Sequence, residues 1–266
     1  MTDSLTSIIV PMFNESSWIL RTLTLCCDLQ IKKEIIVVDN NSSDGSHALV
    51  EDFIEQRNLQ GEVILLSEEK KGKANAVRKG LSVAKGEYIV FHDADLEYDP
   101  RFIPQLVHEL RDCDVVIGCR NCRPYSISLP AFIANKVLLK MIQKKYSMHI
   151  SDIFTAQRGF KRSIIYNLHF TSKSFEMETE LSIRALEEGY KVKEIDVTYS
   201  PRSRDEGKKI GLRDFVLILW KYYSVGRQIT LAKRQKLCEV GVMHTTIPHE
   251  KQTSVKLQSA VVIAQK

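Results

Sequence analysis

Residues 88–100 read Tyr-Ile-Val-Phe-His-Asp-Ala-Asp-Leu-Glu-Tyr-Asp-Pro and contain, in order, an apolar run, an acidic turn and a proline. The apolar run has the length and composition of a buried β-strand. Pro100 is a favoured first residue of a helix, which we predict over residues 100–111. Because sheets covered by helices are built from strand, polar turn and helix in this order, the stretch predicts an α/β fold. It also places two carboxylates, Asp93 and Asp95, at the end of a strand.

The same alternation of short β-branched runs and longer helical patterns extends to both sides of this stretch. The other predicted strands of the first half are residues 7–10, 34–38, 63–66 and 115–117. Its other predicted helices are residues 16–29, 46–57 and 73–85. The second half differs, and there we predict helices over 129–145 and 175–188 and a strand over 191–199. Together these patterns predict a Rossmann-like, mostly parallel sheet flanked by helices.

Composition and charge limit the function classes. The chain has 266 residues, 44% of them hydrophobic, which is enough for one large domain with its own core. Disordered, collagen-like and coiled-coil proteins are excluded. The net charge is +5, but residues 201–236 contain ten basic and three acidic side chains, so this segment carries +7 and the remainder −2. A basic segment on a nearly neutral body indicates a localised anionic partner, such as phosphate or an acidic lipid surface, rather than nucleic acid.

We predict three parts along the chain: an α/β domain over residues 1–210, a basic amphipathic helix over 211–236 and a tail over 237–266, which we expect to be mobile. Two interpretations of the helix stay open. It lies on a membrane surface with its aromatic residues at the headgroups, or it packs on the domain. The longest apolar run, residues 215–220, is far shorter than the roughly 18 residues of a membrane span, and the N-terminus has no secretory pattern. We therefore expect a cytoplasmic protein, with peripheral membrane contact if the helix binds lipid.

Polar residues directly follow three of the predicted strands. They occupy residues 11–15 (PMFNE), 39–45 (DNNSSDG) and 93–97 (DADLE). Ligands bind outside the carboxyl ends of the strands in open parallel sheets, so we expect these three loops to meet at one edge. Two carboxylates on a strand-end turn suit a hard divalent ion, Mg²⁺ or Mn²⁺, whose shell is completed by diphosphate oxygens. Asp93 and Asp95 are therefore predicted metal ligands.

Two common nucleotide-binding motifs are missing from the sequence. It contains no G-x-x-x-x-G-K-S/T, which excludes a P-loop, and no G-x-G-x-x-G after the first strand, which argues against a dinucleotide site. Residues 70–73 (KKGK) precede a predicted helix and have two interpretations. They place cations and free N–H groups against a phosphate, or they form a solvated basic turn.

These motifs, in this order, resemble the inverting family 2 glycosyltransferases of the GT-A fold, and above all their dolichyl-phosphate or polyprenyl-phosphate sugar transferase branch. The resemblance covers residues 4–223. It rests on eight motifs, at residues 11–15, 38–45, 71–80, 86–100, 118–120, 152–161, 175–181 and 199–209. An acidic pair after the second strand is common in this branch, whereas here Asp39 is followed by Asn40.

The resemblance implies a role for each matching residue. The implied contacts to the base and ribose of the donor are Pro11, Glu15 and Asp39, with Asp44 and Lys71 beside them. Asn14 and Lys73 are further predicted donor-binding residues. The implied ligands of Mg²⁺ or Mn²⁺ are Asp93, Asp95 and Glu97. The implied phosphate ligands are Arg120 and Arg202, with Arg204, Lys208 and Lys209 on a loop above them.

Four functions are consistent with these residues. The first is transfer of a hexose from a nucleoside diphosphate sugar, of the UDP-glucose or GDP-mannose type, to a polyprenyl or dolichyl phosphate, an anion that needs no strong base. The second uses a hydroxyl acceptor on a glycan, a lipid or a protein and needs a base, for which Glu178 is the candidate. Its neighbours Glu176 and Glu180 are predicted to be solvated.

The other two functions lie outside glycosyl transfer. A nucleotidyltransferase that makes the sugar nucleotide expects a glycine-rich, arginine-containing loop after the first strand, and residues 11–15 do not supply one. A non-catalytic module that binds nucleotide sugars is disfavoured because both aspartates of the metal motif are present. The donor base, the sugar, the acceptor and the oligomeric state stay open.

Overall fold

The computed structural model describes residues 4–120, 129–146, 150–153, 155–174, 176–202 and 224–227. The strands are β1 (Thr6–Met12), β2 (Lys33–Asp39), β3 (Val63–Ser67), β4 (Tyr88–Phe91), β5 (Val115–Arg120), β6 (Arg158–Lys161) and β7 (Val192–Val197). The helices are α1 (Ile19–Cys27), α2 (Ser46–Gln56), α3 (Lys73–Leu81), α4 (Ile103–Glu109), α5 (Leu129–Tyr146), α6 (Arg162–Asn167) and α7 (Glu176–Glu187), and a 3₁₀ turn (Pro100–Phe102) precedes α4.

The strands of the described residues form one sheet in the order β3-β2-β1-β4-β6-β5-β7. β1 pairs in parallel with β2 and β4, β2 with β3, and β5 with β7. β6 is antiparallel to both of its neighbours, β4 and β5. The predicted α/β fold with a mostly parallel sheet is confirmed.

Helices cover both faces of this sheet, and each face has its own core. Successive strand residues point to opposite faces, so Ile8 belongs to one buried cluster and Ile9 to the other. The first cluster includes Leu23 of α1, and the second includes Val77 of α3 and Met177 of α7. Burial on both faces explains why the central strands are apolar without alternation.

The sequence patterns did not predict β6 and α6, and they misplaced some helix ends. β6 is four residues long and contains Arg158 and Gly159, so its own strand propensity is low. It forms because β4 and β5 offer hydrogen-bond partners on both of its sides. α1 begins at Ile19 and α3 ends at Leu81, three and four residues inside the predicted bounds, because the flanking residues form turns.

Several predictions fall on residues that the structure does not describe. Of the predicted helix at 211–236, the structure describes residues 224–227, which are helical. The predicted tail at 237–266 lies outside the described residues, as do Arg204, Lys208 and Lys209. The three-part division of the chain therefore stays a prediction. Among the described helices, none has the length and apolarity to cross a membrane.

Candidate active site

The loops after β1 and β2 are joined by hydrogen bonds at the carboxyl edge of the sheet. Asn14 donates its backbone N–H to Ser42 Oγ at 2.9 Å, and its Oδ1 accepts from the Ser43 N–H at 2.8 Å. The Glu15 N–H donates to Ser46 Oγ at 2.9 Å. Asn14 has φ of 53°, a left-handed conformation that asparagine tolerates better than most residues. The meeting of strand-end loops that the sequence predicts is found here.

The residues expected to contact the donor nucleotide differ in exposure. Asp39 is buried, and its carboxylate accepts from the Ser42 N–H at 3.1 Å and lies 3.2 Å from His47 Nδ1. Pro11 is half-buried in β1, whereas Lys71 is exposed. Asp39 therefore has a fixed orientation, while the structure assigns Lys71 no anchoring contact beyond its backbone.

Asp44 joins the loop after β1 to the start of α2 at the carboxyl edge of the sheet. Its Oδ2 accepts from the Ser16 N–H at 2.9 Å, and its Oδ1 accepts from both the N–H, at 3.0 Å, and the hydroxyl of Ser46. Partial burial by itself would raise the pKa of Asp44, but these hydrogen bonds outweigh it and lower the pKa to about 2. The carboxylate predicted to lie beside the nucleotide thus also holds the start of α2 against the loop after β1.

Asn40 fixes the loop that leads into α3. Its amide nitrogen donates to the carbonyls of Glu68 at 2.9 Å and Lys70 at 2.8 Å, and its Oδ1 accepts from the Gly72 N–H at 2.7 Å. A carboxylate cannot donate these bonds, so the departure from an acidic pair after β2 has a structural reason. The sequence motif singled out this position but not this function.

Lys73 joins Asp93 to α7. Its Nζ lies 2.6 Å from Asp93 Oδ1 and 2.8 Å from Glu178 Oε1, and 11% of its side chain is exposed. Burial by itself would lower the pKa of this ammonium, but the charges of Asp93 and Glu178 outweigh burial and raise the pKa above its usual value. Of the two interpretations of residues 70–73, the solvated basic turn does not apply to Lys73.

Arg202 is held by three acidic side chains. Its guanidinium lies 2.9 Å from Glu15 Oε2 and 2.6 Å from Asp95 Oδ2, and its Nε is 3.8 Å from Glu97 Oε1. The backbone N–H of Arg202 donates to Glu97 Oε1 at 3.1 Å. Burial opposes the charged form of Arg202, but Asp95 and Glu15 raise its pKa. Its Nε is buried and has no hydrogen-bond partner among the described residues.

Asp93 and Asp95, the acidic pair, are each held by a cation, Lys73 and Arg202 respectively, and their role as metal ligands stays a prediction. Burial, followed by the charge of Asp93, raises the pKa of Asp95 to about 7. Carboxylate oxygens are the ligands that Mg²⁺ and Mn²⁺ prefer. Glu97 accepts the Tyr199 hydroxyl at 2.9 Å and the Arg202 N–H at 3.1 Å, and its predicted role as a third ligand likewise stays a prediction. Among the described residues, no group of three or more acidic, histidine or cysteine side chains is arranged to hold a metal ion.

Arg120 forms an ion pair with Asp152. Its Nε and Nη2 lie 2.6 and 2.9 Å from the two oxygens of Asp152, and 12% of its side chain is exposed. Its guanidinium also covers the Tyr199 ring, 5.1 Å from the centroid. The structure therefore places Arg120 as a support of the site, and its implied phosphate contact stays a prediction.

Two of the three glutamates at the start of α7 are buried. Glu178 is 4% exposed, and its Oε2 is buried without a hydrogen-bond partner among the described residues. The expectation that Glu180 is solvated is wrong, because it is fully buried and bound by Arg184 at 2.8 Å and by the N–H of Ser172 at 2.8 Å. Periodicity assigned Glu180 to the solvent face because it could not show that the loop before α7 folds back over it.

Comparison with known proteins identifies the family. The model of "Glycosyl transferase family 2" matches residues 7–168. Undecaprenyl-phosphate 4-deoxy-4-formamido-L-arabinose transferase of Aeromonas hydrophila is 30% identical over 223 residues, which are 81% of this chain and 66% of that enzyme. The chain thus spans slightly less than two thirds of this relative. An uncharacterised protein of Methanocaldococcus jannaschii is also 30% identical, over 70% of this chain and 84% of that protein.

Solved structures agree on the fold. Glucosyl-3-phosphoglycerate synthase of Mycobacterium tuberculosis, in complex with Mn²⁺, UDP and glucosyl-3-phosphoglycerate, superposes with a TM-score of 0.63 at 17% identity. The match covers 84% of this chain and 80% of the synthase. At this identity the likeness concerns the fold, and it confirms the GT-A architecture that the resemblance implied. The chain therefore belongs to glycosyl transferase family 2, and its described α/β unit is a glycosyltransferase domain.

Proposed function

We propose that this chain transfers a sugar from a nucleoside diphosphate sugar to a polyprenyl phosphate. The observation that carries the proposal is the alternation of charge at the sheet edge, where Lys73 contacts Asp93 and Arg202 contacts Asp95. A reaction between a diphosphate sugar and a phosphate brings two anions together, so its site needs a metal-binding acidic pair and cations beside it. Asp93 and Asp95 would form that pair, and Lys73 and Arg202 would be the cations beside it.

Different residues of the site would bind the nucleoside, the divalent ion and the phosphate. Asp39 and the loop after β1 would hold the nucleoside, and the acidic pair would hold Mg²⁺ or Mn²⁺. The ion would stabilise the negative charge that develops on the leaving diphosphate. Arg202 would bind a phosphate oxygen when substrate displaces one of the carboxylates that hold its guanidinium. Asp39 and the loop after β1 are held by hydrogen bonds before substrate arrives, so the nucleoside would meet groups that are already in place.

A phosphate acceptor suits this site better than a hydroxyl acceptor. A phosphate is already a nucleophile at neutral pH, whereas a hydroxyl needs a base. Glu178, the candidate base, has one oxygen committed to Lys73 at 2.8 Å and the other covered by protein atoms. The relatives named undecaprenyl-phosphate 4-deoxy-4-formamido-L-arabinose transferase, from Aeromonas hydrophila and Photorhabdus laumondii, also support a lipid phosphate. A lipid acceptor would bring the protein to a membrane surface, where the +7 segment at 201–236 would meet anionic headgroups.

Ligand binding tests the donor half of the proposal. Thermal unfolding would be followed with Mn²⁺ or Mg²⁺ and a panel of uridine and guanosine diphosphates and their sugars, because a ligand of the folded state raises Tm. We expect a metal-dependent rise with one base, and its loss in the Asp93→Ala/Asp95→Ala variant. Asp99→Asn, which changes a carboxylate of the same turn, is the matched control. A Tm unchanged by every metal and nucleotide would overturn the donor site.

Product formation tests the acceptor half. Wild-type protein would be given the donor that raises its Tm, with polyprenyl phosphate in detergent micelles or with free sugar and glycolipid acceptors. We expect lipid-linked product, and we expect Glu178→Gln to retain most of that activity. Transfer to hydroxyl acceptors alone, abolished by Glu178→Gln, would instead establish the second candidate function.

A further inference from the structure

Tyr199 lies beneath the candidate site without being one of its expected ligands. Its ring packs against Tyr98, with centroids 5.1 Å apart and planes inclined at 47°, and the Arg120 guanidinium lies over it. Its hydroxyl donates to Glu97 Oε2 at 2.9 Å.

Glu97 carries the effect of this hydroxyl to Arg202. One carboxylate oxygen accepts from Tyr199, and the other accepts from the Arg202 N–H at 3.1 Å. The Glu97 carbonyl accepts from the Ser200 N–H at 2.8 Å, and an isolated antiparallel bridge joins Tyr98 to Tyr199. The segment after β7 thus makes three contacts with Glu97 and Tyr98: the Tyr199 hydroxyl bond, the bridge between Tyr98 and Tyr199, and the Ser200 N–H bond. Arg202 lies two residues after Ser200.

The Arg120 guanidinium, which covers the Tyr199 ring, is itself held by an ion pair with Asp152. Arg120 is bound through its two nitrogens by Asp152, and the Asp152 N–H donates to Glu194 Oε1 at 3.0 Å. Asp152 is 4% exposed, so this ion pair is largely shielded from solvent. Asp152 therefore fixes the Arg120 guanidinium through two hydrogen bonds, and the guanidinium packs on the ring of Tyr199, whose hydroxyl binds Glu97.

We propose that Tyr199 is a positioning residue: its hydroxyl holds Glu97, and Glu97 aligns Arg202 beside Asp95. The consequence for turnover rests on the proposed function, in which Arg202 binds phosphate. Without the hydroxyl, Glu97 keeps its contacts with Arg202 but loses the bond that fixes its other oxygen, so the position of Arg202 is less well defined. Ring packing alone does not supply this alignment. Tyr98 packs against the Tyr199 ring, but the described hydrogen bonds of the Glu97 carboxylate come from Tyr199 and Arg202, not from Tyr98.

Arginine footprinting tests the alignment without any assumption about activity. Phenylglyoxal would be reacted with folded protein, and fragmentation mass spectrometry would measure the modification rate at Arg202, whose side chain is 11% exposed in the wild type. We expect Tyr199→Phe to raise this rate several-fold and Tyr98→Phe, which removes the hydroxyl of the other ring, to leave it unchanged. Equal rates in wild type and Tyr199→Phe, or equal increases in both variants, would overturn the proposal.

Kinetics test the consequence for turnover. For Tyr199→Phe we expect kcat/KM for the lipid phosphate to fall by about tenfold to a hundredfold, a range typical of a displaced catalytic group. In a Glu97→Ala background the same change should cost nothing further, because the side chain that links Tyr199 to Arg202 is already lost. Equal losses in both backgrounds would contradict positioning through Glu97. If the wild type transfers no sugar to any lipid phosphate, the proposed function fails, and the footprinting result still decides the positioning.

Discussion

Lys73 connects the acidic turn to α7, and this single ammonium balances two carboxylates that are far apart in sequence. Asp93 is 23% exposed at its side chain and Glu178 6%, so water screens the two charges unequally. The contacts explain why a lysine is needed at the first position of α3, where it adds nothing to the core. A residue predicted as a phosphate ligand is thus also part of the internal framework of the site.

We expect Lys73→Met to lower the free energy of unfolding by about 2 kcal/mol or more, because it leaves two carboxylates without their cation. A second change, Glu178→Gln, removes one of the uncompensated charges and should restore part of the loss. Thermal unfolding of the single and double variants gives the comparison. A double variant less stable than Lys73→Met would show that charge balance is not the reason.

Asp44 gives a pH-dependent prediction. Its folded-state pKa of about 2 is below the ordinary 3.8, so the stability it contributes is fully present above about pH 4 and is lost as the pH falls towards 2. Asp44→Asn should therefore lower the urea midpoint at pH 6.5 and have a smaller effect at pH 3. Asp52→Asn, at an exposed carboxylate of α2, is the control. A deficit that stays constant between the two pH values would contradict the hydrogen-bond assignment.

At the scale of elements, α3 begins where the backbone passes very close to another segment. Gly72 has φ of 121°, and a Cβ at this position would lie 2.1 Å from the carbonyl oxygen of Lys173. The loop before α7 therefore packs directly on the start of α3. This contact fixes the distance between the elements that carry Lys73 and Glu178.

Gly72→Ala should destabilise the protein by more than the approximately 1–3 kcal/mol of a strained backbone conformation, because the methyl group also displaces the Lys173 carbonyl. Gly61→Ala is the matched control, since Gly61 has φ of 92° but open space where its methyl group would lie. Calorimetry should give a distinctly lower Tm for Gly72→Ala. Equal Tm values would mean that α3 and the loop before α7 separate easily.

Arg158, the first residue of β6, links the loop before β6 to α7. It is fully buried, and its guanidinium donates to the Thr155 carbonyl at 2.9 Å, to the Ile153 carbonyl and to Ser182 Oγ at 2.6 Å. Burial lowers its pKa to about 10. These bonds join the loop before β6 to α7, and three partners in different directions require the fork of an arginine.

Arg158→Lys should lower the free energy of unfolding by about 2–3 kcal/mol, because an ammonium cannot reach all three acceptors and leaves some of them buried and unpaired. A Tm lower by several degrees is the expected readout. Arg162→Lys, at an exposed arginine just after β6, should change Tm little. Equal shifts in the two variants would contradict the importance of the buried fork.

At the scale of the whole molecule, the sheet has two parallel parts that meet through one strand. β3, β2, β1 and β4 form one part, β5 and β7 the other, and β6 joins them. Six of the seven strands were predictable, because their apolar runs are set by burial on both faces of the sheet. β6 was not, since its pairing partners are distant in sequence and its own composition gives no periodic signal.

The site was predictable in part for the same reason. Strand ends converge by geometry, so the sequence brought the acidic turn and the loops after β1 and β2 to one edge. The ion pair of Arg202 with Glu15 spans 187 positions and depends on the path of the segment after β7, which no local pattern encodes. Asn40 and Tyr199 were also missed, because their importance lies in hydrogen bonds to other loops and not in a recognisable motif.

The two-part sheet gives a prediction for folding order. The pairings of β1 with β2 and with β4 need no residue beyond 91, whereas among the described strands β5 is joined to them through β6. We expect pulsed hydrogen exchange during refolding to show amides of β1 and β2 protected before those of β5 and β7. The reason is that β5 and β7 join the sheet only after longer loops have closed. Arg158→Lys should delay the second group more than the first. Simultaneous protection of all strands would contradict this order.

The position of β6 also matters while the chain is being synthesised. A ribosome releases Val115–Arg120 before residues 158–161, so the nascent chain contains an apolar strand whose inner neighbour has not yet been made. Val115, Val116 and Ile117 are at most 1% exposed in the folded protein, and until β6 emerges they offer a free edge to other chains. Proteins truncated between these two strands should therefore aggregate, and their solubility should recover in truncations that extend past β7.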